Sequence, residues 1–200
     1  MPLCTEGFAR EELATAVELP PGQRLARRLP VMSSGTTPVV PRGAWELVVT
    51  TTSGDRRRWD FEALVALPAE DVTADLHCVT GWSTLGTRWR GASMDVVLEH
   101  TDDAVGRFAM ARSYGGYCTN IPLADLSDGL AWLVFELEGE PLSVEHGGPV
   151  RLLVPHLYLW KSAQWLHELT FMTTDRPGFW ESLGYHSRGN PWQEQRYSRD

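Results

Sequence analysis

Long apolar runs and an excess of positive charge are both missing from this 200-residue chain. No stretch approaches the roughly 20 consecutive apolar residues that a membrane-spanning helix needs. The formal net charge of -8 disfavours nucleic acid and anionic membrane surfaces, which both attract Lys and Arg. We therefore expect neither nucleic acid nor a membrane among the partners.

Cysteine is also scarce, with only Cys4, Cys78 and Cys118 present. A low, odd number of cysteines gives no disulfide framework, and no CxxC pair occurs to indicate a zinc ribbon or a thioredoxin-like site. The N-terminal segment carries acidic residues early and lacks the apolar core of a secretory signal. The expectation is a cytoplasmic location in which the thiols stay reduced.

Nucleotide-binding signatures are absent, because neither GxGxxG nor GxxxxGK[ST] occurs. Tryptophan, in contrast, is abundant, with nine residues. These side chains fit either ordinary core packing or a flat ligand site with aromatic walls. The count alone leaves both interpretations open.

Short segments of alternating hydrophobicity follow an irregular start that is rich in Pro, Gly and Arg. Asp60 and Ser93 are predicted to cap two short helices, and a third helix is predicted over 177–186. Many strands with short helices in no regular alternation indicate an α+β fold with a mixed β-sheet. We expect an N-terminal arm over 1–30 and one folded domain over 31–200. The predicted strands are 45–51, 72–79, 107–113, 117–122, 131–139, 150–154 and 167–173.

Cys78 ends one of these predicted strands, before the Gly-containing loop VTGWSTLG at 79–86. That position suits a side chain that faces a cleft, although burial as a structural thiol is the commoner fate of an isolated cysteine. His77 would point to the opposite face of the strand. A zinc site made from Cys78, Cys118 and histidines is an alternative that lacks the usual ligand spacing.

Two further segments indicate a ligand site. In HGGPVRLLVP (146–155) the glycines would allow a close backbone approach to a ligand, and Arg151 would clamp a phosphate bidentately. The alternative is a turn before a strand with a solvated arginine. WKSAQW (160–165) places Lys161 and small residues between tryptophans, and its alternative is an aromatic edge of the core.

Five segments, taken in order, resemble the oxidoreductase molybdopterin-binding domain of the sulfite oxidase family. The resemblance spans roughly residues 30–195 and is to the short stand-alone members in particular. It implies the sulfite oxidase molybdopterin-binding fold, a molybdenum–molybdopterin (Mo-MPT) cofactor and oxygen-atom transfer on a small substrate. The segments are HCVTGWS (77–83), TRWRG (87–91), SYGGYCTNIPL (113–123), EHGGPVRLLVPHLYLWKSAQW (145–165) and GFWESLGYH (178–186).

The resemblance also implies residue roles. Cys78 matches the cysteine whose thiolate binds molybdenum, and Tyr117 matches a tyrosine that points at the substrate pocket. A soft thiolate suits a metal that dithiolene sulfurs already hold. A tyrosine hydroxyl beside the reacting group can donate a hydrogen bond or a proton. The remaining implied cofactor contacts are Met32, Ser33, Ser113, His146, Arg151, Ser162, Ala163 and Gln164.

Two departures from the family pattern refine the expectation. Gln164 stands where many members carry Lys, which shifts phosphate pairing to Arg151 or Lys161. Cys78 is followed by VTGWS and not by the arginine-bearing loop of true sulfite oxidases, which argues against sulfite. The expected substrate is a sulfur oxide, a nitrogen oxide or a sulfoxide, with an external electron-transfer partner. The alternatives are a methionine-sulfoxide-type reductase and a non-catalytic molybdopterin-binding module.

Overall fold

The fold is built mostly from β-strands. The computed structural model describes residues 18–101 and 106–200. In these two ranges no helix has the length and hydrophobicity to cross a bilayer. The α-helices are α1 (Phe61–Val65), α2 (Met94–Glu99) and α3 (Phe179–Ser182). The strands are β1 (Arg24–Leu25), β2 (Glu46–Thr50), β3 (Arg56–Asp60), β4 (Ala69–Cys78), β5 (Trp82–Ser93), β6 (Phe108–Ser113), β7 (Cys118–Pro122), β8 (Trp132–Leu137), β9 (Glu140–Pro141), β10 (Arg151–Leu153) and β11 (Leu166–Met172).

The strands form two sheets. In the first sheet the long strand β5 pairs with β4 along one edge and with β1 and β8 along the other, and β8 continues to β9 and β10. The second sheet has the order β3-β2-β11-β6-β7. Each sheet contains one parallel pair, β1 with β5 and β2 with β11, among antiparallel pairs. The predicted α+β class with mixed sheets and short helices is confirmed.

Both faces of the first sheet are covered. On β8, Leu133 and Phe135 join the main core with residues of the second sheet such as Leu47 and Leu169. Val134 points the other way, into a smaller cluster completed by Ala74, Leu76, Trp89, Leu142 and Leu153. Successive strand side chains alternate between faces, so one strand supplies both clusters. The sheet is thereby a rigid platform for residues at its strand ends.

The helix starts follow the sequence prediction. The Asp60 carboxylate accepts a hydrogen bond from the Ala63 N–H at 2.8 Å, at the start of α1. The Ser93 hydroxyl accepts from the Asp95 N–H at 3.2 Å, at the start of α2. Each bond satisfies a backbone donor that the first helical turn leaves free.

The loop predicted at 79–86 is wrong over most of its length. Only Val79–Gly81 form a turn, and β5 begins at Trp82. Gly81 has φ of +90°, a conformation that residues with a Cβ rarely adopt, so the chain reverses within three residues. Gly86 lies inside the strand, near the register shift between Ala74 and Leu76 of β4. A glycine-rich sequence therefore forms a bulged hairpin where a loop was expected.

The predicted N-terminal arm is described only in part. Residues 1–17, which include Cys4, lie outside the described residues. Residues 18–30 form no helix. Their one short strand, β1, pairs Arg24 with Trp82 and Leu25 with Ser83. This pairing lays the arm beside the turn that follows Cys78.

Candidate active site

Cys78 stands at the tip of the β4–β5 hairpin. The residue is 8% exposed, and the Thr80 hydroxyl donates to its Sγ at 3.1 Å. The Gly81 N–H closes the turn by donating to the Cys78 carbonyl at 3.0 Å. His77 is buried on the other side, with Nδ1 2.8 Å from the Ser83 hydroxyl. The strand alternation thus separates the thiol from the neighbouring imidazole, as the sequence predicted.

Arg151 begins β10, and its side chain is buried. Nη1 donates to the His146 carbonyl and Nη2 to the Ser162 carbonyl, both at 3.0 Å. Burial lowers the pKa of Arg151 to about 10, so the group stays protonated at neutral pH. No carboxylate in the described part of the chain pairs with it. Burying a cation without a counter-ion costs free energy, so we expect an anion to bind at this position.

Tyr117 precedes β7 and brings a phenolic hydroxyl to the candidate site. The hydroxyl donates to the Trp160 carbonyl at 2.5 Å, and the ring meets Phe179 edge-on at 6.0 Å between centroids. Burial, reinforced by the negative charge of Glu181, raises the pKa of Tyr117 well above its usual value. The hydroxyl is therefore protonated across the physiological range and can serve as a donor.

One cavity of about 290 Å³ brings these groups together. Ala163 is the only predicted site residue outside its wall. Ala163 is buried in the core, and its carbonyl accepts from the Leu152 N–H at 2.9 Å. Its assignment as a cofactor contact stays a prediction. The nine predicted residues that line the cavity are Met32, Ser33, Cys78, Ser113, Tyr117, His146, Arg151, Ser162 and Gln164.

Comparison with known proteins identifies the family. A model of the oxidoreductase molybdopterin binding domain matches residues 34–180. The uncharacterized oxidoreductase YuiH of Bacillus subtilis (strain 168) is 38% identical over 184 residues, which cover 91% of this chain and 93% of that protein. The chain belongs to the molybdopterin-binding oxidoreductase family.

More distant relatives are longer than this chain. A putative protein-methionine-sulfoxide reductase subunit, YedZ1, of Azospira oryzae is 28% identical over 73% of this chain and 56% of its own length. Sulfite oxidase of Arabidopsis thaliana is 24% identical over 76% of this chain and 48% of its own length. The crystal structure of the sulfane dehydrogenase SoxCD from Paracoccus pantotrophus superposes with a TM-score of 0.64 over 76% of this chain and 43% of that chain, at 18% identity, which supports the fold. The chain spans about half the length of these three proteins.

The cavity has the donors that a molybdopterin phosphate needs. Arg151 Nε and Ser113 Oγ are buried without a hydrogen-bond partner among the described residues. Ser162 Oγ accepts from the Val154 N–H at 2.9 Å, which leaves its own hydrogen free to donate. Burial and the nearby Arg151 charge lower the pKa of His146, so that imidazole is neutral at pH 7. Phosphate oxygens accept hydrogen bonds, and the unused donors at this site therefore fit the cofactor.

The glycines before Arg151 serve protein packing and not ligand approach. A Cβ on Gly148 would lie 2.1 Å from the Leu142 carbonyl oxygen, and one on Gly147 would lie 2.8 Å from the Gln164 Cβ. Neither glycine lines the cavity. The expectation that they approach a ligand is wrong: they let the 142–148 segment and Gln164 close against each other. Gln164 itself donates to the Glu145 carbonyl at 3.3 Å and lines the cavity.

Lys161 does not line the cavity, so of the two cations expected to pair with the phosphate, the alternative Lys161 is wrong. Its side chain is fully buried, with Nζ 2.5 Å from Glu181 Oε1. Nζ also donates to the main-chain carbonyls of Asn120 at 2.7 Å and Ser187 at 2.6 Å. Desolvation lowers the pKa of Lys161 and the Glu181 charge opposes this. The lysine is already saturated, so Arg151 is the buried cation left to bind an anion.

The zinc alternative has no geometric basis. Over 18–101 and 106–200, no three His, Cys, Asp or Glu side chains lie close enough to hold a metal ion together. Cys78 and Cys118 are free thiols.

Sequence reasoning did not assign most of the aromatic wall. Trp82, Trp160, Trp165, Trp180 and Tyr185 line the cavity, whereas Trp45, Trp59 and Trp89 pack in the core clusters. Both interpretations of the tryptophan count are therefore partly right. The abundance of tryptophan was the available signal, but it could not say which of the nine face the ligand.

Arg151 and Lys161 are predicted to have separable roles. Arg151→Met should lower cofactor affinity by about one to two decades, because a charge-assisted hydrogen bond contributes about 1.5–3 kcal/mol. Lys161→Met should instead lower stability by about 3–5 kcal/mol, because Glu181 stays buried and unpaired. Molybdenum and pterin content and thermal unfolding, measured on both variants, separate these effects.

The double variant Lys161→Met/Glu181→Leu is the control. Removing both charges should recover part of the stability that the single variant loses. Wild-type cofactor content in Arg151→Met, or unchanged stability in Lys161→Met, would contradict the assignment.

Proposed function

We propose that this chain is a Mo-MPT oxidoreductase that transfers an oxygen atom between water and a small substrate, with Cys78 as the metal's protein ligand. The supporting observation is one cavity that contains the Cys78 thiol, the uncompensated Arg151 guanidinium and the Tyr117 hydroxyl. Soft thiolates suit a metal bound by dithiolene sulfurs. Coordination would deprotonate the thiol.

The chain's own residues divide into two groups. Arg151, Ser113 and Ser162 offer donors to the cofactor's phosphate. His146, Gln164, Met32 and Ser33 are the further cavity residues assigned to the pterin. When bound, the cofactor supplies the two-electron oxygen-atom transfer. The protein supplies position and charge.

Tyr117 is assigned to the substrate. Its hydroxyl hydrogen is directed at the Trp160 carbonyl, and its raised pKa keeps that hydrogen in place. A substrate oxygen that competes for this hydrogen would receive a hydrogen bond from a group of fixed position. The role is therefore to orient or protonate the substrate oxygen and not to act as a base.

The substrate that fits this cavity is neutral. Among the Arg, Lys, His, Asp and Glu side chains of the described residues, two line the cavity, namely Arg151 and His146. Arg151 is assigned to the phosphate and His146 is neutral at pH 7, so no cation is left for sulfite. A sulfoxide or an N-oxide meets these conditions. Reduction of methionine sulfoxide is a more specific alternative within this class. It is favoured by the similarity to YedZ1, which is named as a putative protein-methionine-sulfoxide reductase subunit.

A non-catalytic molybdopterin-binding module is the less favoured alternative. Such a module has no use for a thiol at the hairpin tip or for a buried tyrosine hydroxyl, and both line this cavity.

Reduction of a sulfoxide takes two electrons and two protons and releases a thioether and water. We assign the electrons to an external partner, since the similar YedZ1 protein is named a subunit of a reductase. The cytoplasmic location stays a prediction.

The metal assignment predicts about one molybdenum per chain in protein made by cells that synthesise the cofactor. Cys78→Ser should abolish turnover and alter the electron paramagnetic resonance (EPR) signal of the one-electron-reduced metal, because oxygen is a harder ligand than sulfur. Most of the pterin should stay bound, since other residues hold it. Elemental analysis, pterin release and EPR test this directly. Zinc in place of molybdenum, or full turnover in the variant, would refute the assignment.

The hydroxyl of Tyr117 is predicted to act in turnover. Tyr117→Phe keeps the ring contact with Phe179, so any loss reports the hydroxyl alone. The expected decrease in kcat is about 10²–10⁴-fold if the hydroxyl transfers a proton, and smaller if it only orients the substrate. Molybdenum and pterin content should not change. Steady-state kinetics with methionine sulfoxide, on samples assayed for metal, make the measurement; wild-type kcat and KM would return Tyr117 to a packing role.

Substrate charge gives a separate prediction. Methionine sulfoxide reduction should show a higher kcat/KM than sulfite oxidation, because the cavity has no free cation for an anionic substrate. Both reactions can be followed with artificial electron donors and acceptors on one enzyme preparation. A clear preference for sulfite would show that an anion can bind near Cys78 and would overturn the neutral-substrate proposal.

A further inference from the structure

The turn that carries Cys78 is held from outside by both ends of the described chain. Gln23 Nε2 donates to the Cys78 carbonyl at 3.1 Å. The Arg24 N–H donates to the Gly81 carbonyl at 3.0 Å. Arg196 Nη1 donates to the Val79 carbonyl at 2.5 Å. Three carbonyls of one four-residue segment thus accept hydrogen bonds from residues far away in sequence.

Arg196 joins the two ends to each other. Its Nη2 donates to the Pro21 carbonyl at 3.0 Å, and its guanidinium carbon lies 5.3 Å from the centre of the Tyr158 ring. The packing is close: a Cβ on Gly22 would lie 3.0 Å from Arg196 Nη2, and one on Gly81 would lie 3.3 Å from the Gly22 carbonyl. The planar guanidinium presents a separate terminal nitrogen to each of the two carbonyls, in a fixed geometry that a single ammonium nitrogen does not have.

Two hydrogen bonds form within the turn: the Gly81 N–H donates to the Cys78 carbonyl, and the Thr80 hydroxyl donates to the Cys78 Sγ. The bonds from Gln23, Arg24 and Arg196 hold the turn from outside and so contribute to its direction. Residues 23 and 196 both lie outside the 34–180 segment that matches the family model.

We infer that Arg196, assisted by Gln23, is a positioning residue that fixes the direction of the Cys78 sulfur towards the metal. This inference rests on the proposed function, in which that sulfur is a metal ligand. A small rotation of the turn would redirect the sulfur lone pairs and change their overlap with the metal. Groups that orient a ligand without touching the metal commonly affect activity about 10–100-fold. The C-terminal tail is then part of the active site.

The test uses cofactor-loaded protein with the variants Arg196→Met and Gln23→Leu. Arg196→Met should keep its molybdenum and pterin but shift the EPR signal of the dithionite-reduced metal. With methionine sulfoxide and a reduced viologen dye, kcat should decrease about 10–100-fold with little change in KM. Gln23→Leu should give a smaller shift in the same direction. Arg196→Lys keeps one of the two bonds and should give an intermediate signal.

Arg188→Met is the matched control on the same tail. Arg188 donates to both carboxylate oxygens of Asp125, at 2.8 and 3.0 Å, and makes no hydrogen bond to the Cys78 turn. This variant should lose stability while its EPR signal and kcat stay as in the wild type. A purely structural role for Arg196 predicts the same pattern for Arg196→Met.

The outcomes separate the two proposals. A wild-type EPR signal and kcat in Arg196→Met, together with an altered signal in Cys78→Ser, would overturn this inference and leave the proposed function intact. An unaltered signal in Cys78→Ser, or wild-type protein without molybdenum, would overturn both. If Arg196→Met does not fold, Arg196→Lys and Gln23→Leu decide, and wild-type signals in both would refute the positioning role.

Discussion

Arg151 donates from its two terminal nitrogens to the carbonyls of His146 and Ser162, and these bonds join three segments of the chain around one cavity. The guanidinium is buried and has no carboxylate partner among the described residues. Its Nε–H has no hydrogen-bond partner there either, so the buried charge favours the binding of an anion that the protein does not itself supply. The same guanidinium connects the start of β10 to the His146 turn and to the Ser162 segment.

Lys161 is a second buried cation close in sequence to Arg151, but it pairs with a carboxylate of the protein itself. It lies one residue before Ser162, whose carbonyl accepts from Arg151, yet its ammonium is saturated by Glu181, Asn120 and Ser187. Glu181 Oε1 also accepts from Trp160 Nε1 at 2.9 Å. The ion pair thus supports the Trp160 segment, whose carbonyl holds the Tyr117 hydroxyl. Lys161 supports the wall of the cavity from behind, and Arg151 lines the cavity itself.

The two groups assigned to the chemistry come to the cavity from different sheets. The thiol of Cys78 stands at the end of a long hairpin of the first sheet, and the hydroxyl of Tyr117 precedes a strand of the second sheet. The core between the two sheets fixes their separation. Groups that such a core holds in place lose less freedom when a ligand binds, which reduces the ordering cost of binding.

The sequence by itself determined features that depend on near neighbours. The helix starts at Asp60 and Ser93 follow from side chains that bond the backbone within three residues. Alternating hydrophobicity predicted most strands, and the ordered motifs around Cys78 and Arg151 indicated the family, which in turn implied the cofactor. His77 faces away from Cys78 because adjacent strand residues always do.

Only the tertiary structure decided which distant groups meet. Residues 82–86 were expected in a loop but belong to β5, which pairs with β4, because the register of the hairpin places Gly81 and Gly86 where a turn and a bulge are needed. Lys161 turns inward because Glu181, 20 residues later, is buried against it. Arg196 reaches the Val79 carbonyl across 117 residues. No local pattern encodes such contacts, since they arise from the packing of sheets and chain ends whose relative placement is set by the whole core.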